Sequence, residues 1–191
     1  MKEKQWEANV ILIDADYADS VAADMTVNFE RMLNRPLQRA DLPRWLDCLA
    51  LDGGIRPGDH KIQVLLLHSS ELKALKNFSP SVFAEELDAK AFRDNLGEFS
   101  IHSFAAEGVV SHEAFFLQSL KALLEAKDVK RLLVVGNMEQ SGEEILGALQ
   151  QTGEKEVVLF AMAPQQGEGF KPEILGYSIM QALGITADEL Q

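Results

Sequence analysis

"NVILID" at 9–14, followed at once by "ADYAD" at 15–19, decides how this chain is read. Val10, Ile11, Leu12 and Ile13 form an unbroken apolar run that ends in Asp14, and Asp16 and Asp19 follow within five positions. A run without alternation suits a strand buried on both faces, as in a parallel sheet. The acids after it admit two readings. They are oxygen ligands at a strand end, or they begin a helix whose free N–H groups a carboxylate can accept.

Four more segments share this character: "IQVLLLHS" (62–69), "FSIHSF" (99–104), "RLLVVG" (131–136) and "EVVLFAM" (156–162). All but "FSIHSF" are nearly continuous in apolar residues. Helical periodicity fills the spaces between them. Val21, Met25, Phe29 and Met32 share one face over 18–33, and Leu42, Trp45, Leu46 and Leu49 do so over 41–52. Phe116, Leu120, Leu123 and Leu124 form a face over 111–127. "SPSVFAEELDAKAFRDNLG" (79–97) predicts a helix capped by Ser79, with Pro80 at its first position and Gly97 as its stop. "SGEEILGALQQTG" (141–153) predicts another, with Ser141 and Glu144 at capping-box spacing. A last helix is expected near 172–183.

Strand and helix in alternation mean right-handed crossovers. The expected fold is α/β, a three-layer α/β/α sandwich with a mostly parallel five-stranded sheet in the order 3-2-1-4-5. The 191 residues suit a single domain, 1–191, with a helical insertion at about 34–61. That insertion could serve as a lid or dimer surface, or simply pack on the sheet edge.

Composition narrows the partners. Eighteen basic against thirty acidic residues leave a net charge of −12, and the basic residues are scattered. A nucleic-acid surface needs cations against phosphate, so nucleic acid is disfavoured. No apolar run reaches the length of a membrane span, and "MKEKQWEANV" lacks the apolar core of a signal peptide. A cytoplasmic location is expected by default. The lone cysteine, Cys48, excludes an intrachain disulfide and reads as a buried thiol. The partner is expected to be a second copy of the chain, in a homodimer, or another protein, over "PRWLDCLALDGG" or the last helix.

In open parallel sheets, sites form beyond the carboxyl ends of the strands. Asp14, Asp16, Glu107, Glu113 and "GNMEQSGEE" (136–144) fall there. If the first and fourth strands are neighbours, Asp14, Asp16 and Glu139 could converge around Mg²⁺ or Mn²⁺, which take oxygen ligands and could activate water. Of the histidines, His68 and His102 fall on two strands that could be neighbours across the sheet; none of the four has HxH or HxxxH spacing. No GxGxxG, Walker A or GxSxG motif is present.

"LIDAD", "EGVV" (107–110) and "VGNMEQ" (135–140) resemble the three motifs of PIN/NYN-type metal-dependent ribonucleases. The resemblance matches Asp14 to the first acid and Gly108 and Gly136 to the glycines. It puts Val110 and Asn137 where the second and third acids would stand, and lets Glu139 replace a following Asp. The implied domain is a catalytically degenerate relative acting as a protein-interaction module. The alternative is a phosphoesterase using Asp14, Asp16 and Glu139. "DAD" followed by Ser69, Lys127 or Lys130 and "GNMEQSGEE" also resembles HAD-type phosphatases. There Asp14 would be nucleophile and Asp16 general acid, Ser69 would take the place of the Ser or Thr after strand two, and Asn137 would replace a metal-binding Asp, which makes Ser69 and Asn137 the implied cofactor-binding residues. The opening is also similar to that of bacterial proteins of about this size that begin "LIDADYAD", a likeness that implies no activity.

Overall fold

The computed structural model describes residues 5–191. Met1–Lys4, the start of "MKEKQWEANV", lie outside the described residues. In chain order the elements are β1 (Asn9–Asp14), α1 (Ala15–Leu33), β2 (Ala40–Asp41), α2 (Leu42–Asp52), β3 (His60–His68), β4 (Phe78–Ser79), a π-helical turn (Phe83–Leu87), β5 (Lys90–Asp94), β6 (Gly97–Ala105), α3 (His112–Glu125), β7 (Arg131–Val135), α4 (Met138–Leu149), β8 (Glu156–Ala161), β9 (Lys171–Ile174) and α5 (Leu175–Ala182).

The main sheet has seven strands, not five, in the order β5-β6-β3-β1-β7-β8-β9. The expected order is therefore extended at both edges. All neighbours pair in parallel except β5 with β6. β1 sits at the centre, with Ile13 opposite Val135 of β7 and Asp14 opposite Leu67 of β3. Its side chains alternate between two cores. Ile11 and Ile13 join α1, α2 and α5 on one face. Val10 and Leu12 join α3 and α4 on the other. This is why the run needs no polar position: both faces are covered.

The segment 79–97 is not a helix. Phe83 and Leu87, one turn apart, are buried by the short π-helical turn, and Glu86 accepts from the backbone N–H groups of Ser81 and Val82. The chain then forms edge strand β5, whose Phe92 stacks on Phe99 of β6 with ring centroids 4.6 Å apart. Asp94 accepts from the Leu96 N–H at 2.8 Å and closes the two-residue turn. Gly97 is no helix stop. Its φ is +134°, and a Cβ there would collide with the His60 carbonyl oxygen of the neighbouring strand. Tertiary pairing and burial of the two phenylalanines override a favourable helical propensity.

Two helix starts also differ. α4 begins at Met138, capped by Asn137, whose Oδ1 accepts from the Gln140 N–H at 3.1 Å. Ser141 lies inside α4 as a kink with φ −124° and ψ 23°. The last helix begins at Leu175, because Lys171–Ile174 pair with β8 as a strand instead.

The insertion is packed, not projecting. Leu42, Trp45, Leu46 and Leu49 of α2 are buried, and Trp45 donates its indole N–H to Ser178 Oγ of α5 at 3.0 Å. Within "PRWLDCLALDGG", Trp45, Leu46, Cys48, Leu49 and Ala50 are thus buried in the chain's own core, and Leu51 is exposed. Cys48 is buried, and burial is the main cause raising its thiol pKa, so it is a poor nucleophile. His68 and His102 lie on paired strands but three rungs apart, since His102 faces Leu65 and His68 faces Ala105. Among the described residues no helix is long and apolar enough to cross a membrane.

Candidate functional site

β1 ends where α1 begins, and Asp14 serves both. It is the last residue of the strand and the N-cap of the helix, with Oδ1 accepting from the Tyr17 N–H at 3.1 Å. Only 5% of Asp14 is exposed. α1 leaves β1 toward one face of the sheet and α4 leaves the neighbouring β7 toward the other. The boundary between β1 and β7 is thus the topological switch point of the sheet, near which open parallel sheets place ligands.

Asp16 stands in the first turn of α1 and reaches to the end of β3. Its Oδ1 accepts from the Ser69 N–H at 2.9 Å and its Oδ2 from the Ser69 hydroxyl at 2.6 Å. The short hydroxyl bond is the geometry of a charge-assisted contact. Asp19 is turned elsewhere. It is buried and accepts from the N–H groups of Lys76 and Asn77, which ties the segment after β3 to α1. Its role is structural.

The third member of the cluster comes from α3. Ser111 caps this helix by accepting from the Ala114 N–H, and that turn sets His112 over the end of β1. His112 Nε2 lies 2.7 Å from Asp14 Oδ1. The hydrogen bond to Asp14 raises the imidazole pKa above its ordinary 6.5, against the opposing effect of burial, with Asp14, Asp16 and Glu113 adding charge. The Nδ1 atom of the same ring is buried with no hydrogen-bond partner. Donor atoms of Asp14, Asp16 and His112 all lie within 4.8 Å of one another. His112 and Ser69 also line an open cleft of about 390 Å³, with Glu71, Glu107, Gly108 and Val110.

The expected site is thus assembled in part. Asp14, Asp16 and Ser69 come together. Glu139 is exposed in the first turn of α4 and is not among the converging donors; its charge is felt at Tyr17, whose pKa is raised first by burial, then by Glu139 and Asp14. Asn137 is used by its own helix as the cap. Val110 is exposed and offers no ligand. The group that converges is Asp14, Asp16 and His112, with Glu139 outside it. His112 carries no local HxH or HxxxH partner that marks it in the sequence. A serine cap starting a helix after the third central strand was the available signal.

Comparison with known proteins adds one assignment. Residues 3–190 match the model of a family of unknown function, DUF6621. The chain belongs to that family. No curated protein and no solved structure matches it. Membership in DUF6621 spans nearly the whole chain, and therefore includes the strand ends, α3 and the cleft.

Proposed function

We propose that this member of DUF6621 is a catalytically degenerate PIN/NYN-like domain that works as a protein-interaction module. One observation carries the reading. The positions that the resemblance assigns to the second and third acids hold Val110, which has no ligand atom, and Asn137, which caps α4. What remains of an acidic centre is engaged within the protein: Asp14 with Tyr17 and His112, Asp16 with Ser69. A phosphoesterase using Asp14, Asp16 and Glu139 would need Glu139 to move into the cluster.

The interaction reading draws on a groove on the α3 face of the sheet. Trp6, Leu65, Leu67, Phe104 and Phe115 line an apolar recess of about 190 Å³, and Phe104 is 45% exposed at its rim. Beyond the end of β6, Val109 and Val110 are also exposed. Concentrated apolar surface of this kind suits protein contacts.

The test is hydrolysis of single-stranded RNA and of p-nitrophenyl phosphate with added Mg²⁺ or Mn²⁺, on wild type and Asp14→Asn. Equal background rates are expected. Metal-dependent turnover lost in Asp14→Asn would overturn the proposal in favour of the phosphoesterase. Sedimentation of wild type and Phe104→Asp tests the contact surface, with self-association expected to weaken in the variant.

A further inference from the structure

The donor set at the strand ends differs from the oxygen-only centre that the ribonuclease resemblance implies, and the difference has chemical content. We propose that Asp14, Asp16 and His112 form a binding site for one divalent first-row transition ion, Zn²⁺ foremost, and not for Mg²⁺. The three residues come from three separate places: the end of β1, the first turn of α1 and the first turn of α3. Each presents a donor atom within 4.8 Å of the other two. Donors that share a tetrahedral Zn²⁺ at bond lengths of about 2.0–2.2 Å stand about 3.3 Å apart. The His112–Asp14 separation of 2.7 Å must therefore widen by about half an ångström. Helix-start side chains can make adjustments of that size by rotation about χ1 and χ2.

The identity of the ion follows from the ligands. Mg²⁺ requires near-octahedral oxygen coordination and keeps much of its water. Imidazole with carboxylate suits Zn²⁺ and its first-row neighbours, and affinity for such sites rises along the series toward Cu²⁺. Two carboxylates and one neutral imidazole also balance a +2 charge, which matters for groups as little exposed as Asp14 and His112, whose side chains are 7% and 14% accessible. The cleft lined by Ser69 and His112 leaves room for a fourth ligand from solvent or from a partner. The inference does not depend on whether the chain is an interaction module, because metal uptake and hydrolysis are read separately.

The experiment is calorimetric titration of the full chain with ZnCl₂ and with MgCl₂, repeated on His112→Gln and Asp16→Asn. Both variants are first checked for folding by circular dichroism. One Zn²⁺ per chain is expected, with affinity at least tenfold weaker in each variant and Mg²⁺ far weaker than Zn²⁺. Co²⁺ added in place of Zn²⁺ should give visible ligand-field bands that His112→Gln abolishes. Absence of Zn²⁺ uptake overturns the proposal. So does uptake that His112→Gln leaves unchanged, which would mean ions on surface carboxylates, and so does Mg²⁺ binding as tight as that of Zn²⁺.

Discussion

The carboxylate of Asp16 holds both the backbone N–H and the hydroxyl of Ser69, at 2.9 and 2.6 Å, and so fastens the first turn of α1 to the end of β3. Removing the hydroxyl in Ser69→Ala leaves the backbone contact and should cost about 1–2 kcal/mol. Asp16→Ala removes both contacts and should cost more. Urea denaturation of the two variants checks the ranking. Equal losses would mean that the hydroxyl bond alone holds the junction.

Asp47 of α2 makes stability depend on pH. Burial, then a hydrogen bond and charge from Asp94, raise its carboxyl from an ordinary 3.8 to about 7, and one of its oxygens is buried without a protein donor. Between those values the folded protein keeps a proton that the unfolded chain has released. The stabilisation is thus complete below about pH 4 and is lost as pH rises through about 7. Asp47→Asn should remove this dependence, raising the melting temperature at pH 8 by about 2–4 °C while leaving pH 4 nearly unchanged. A uniform shift at both pH values would contradict the assignment.

Asp14 and His112 can be separated by titration. The carboxylate holds the imidazole pKa above 6.5, so Asp14→Asn should bring the His112 value down toward or below the ordinary one. Asparagine still caps α1, because its side-chain oxygen can accept from the Tyr17 N–H. NMR titration of the ring protons, with a chelator present, reads this directly. An unchanged midpoint would place the main influence on His112 elsewhere.

Gly97, the first residue of β6, tolerates no side chain. With φ at +134° and the His60 backbone in the space of a Cβ, Gly97→Ala should destabilise by about 2–4 kcal/mol. Gly108 offers the control. It also has positive φ, at +70°, but a Cβ there meets nothing within 4 Å, so Gly108→Ala should cost only about 1 kcal/mol. Thermal melts of both variants decide.

The central strands were legible because each is buried on both faces. Continuous runs such as Val10–Ile13 and Leu132–Val135 leave little choice of structure. The edge strands were not. Lys90–Asp94 has one apolar anchor, Phe92, and its sequence is as good a helix as a strand until Phe99 is placed beside it. Lys171–Ile174 contains a proline and gains its form only by pairing with β8. At the site, Asp14 and Asp16 were legible from their place after β1. His112 was not, because it is 98 residues from Asp14 in sequence and meets it only through the α3 cap. Glu139 is the opposite case. It is near in topology, but Asn137 starts α4 early and leaves Glu139 exposed.

The two outer strands have a consequence for how copies of the molecule can meet. β5 carries Lys90, Arg93 and Asp94, with Arg93 held to Asp59, and β9 carries Lys171, Pro172 and Glu173. Charged side chains and a proline at sheet edges hinder strand-to-strand growth between molecules, and proline has no N–H to offer a neighbour. The sheet is in effect closed against lateral extension. The proposed association over the Phe104 groove would accordingly be face to face, not strand to strand.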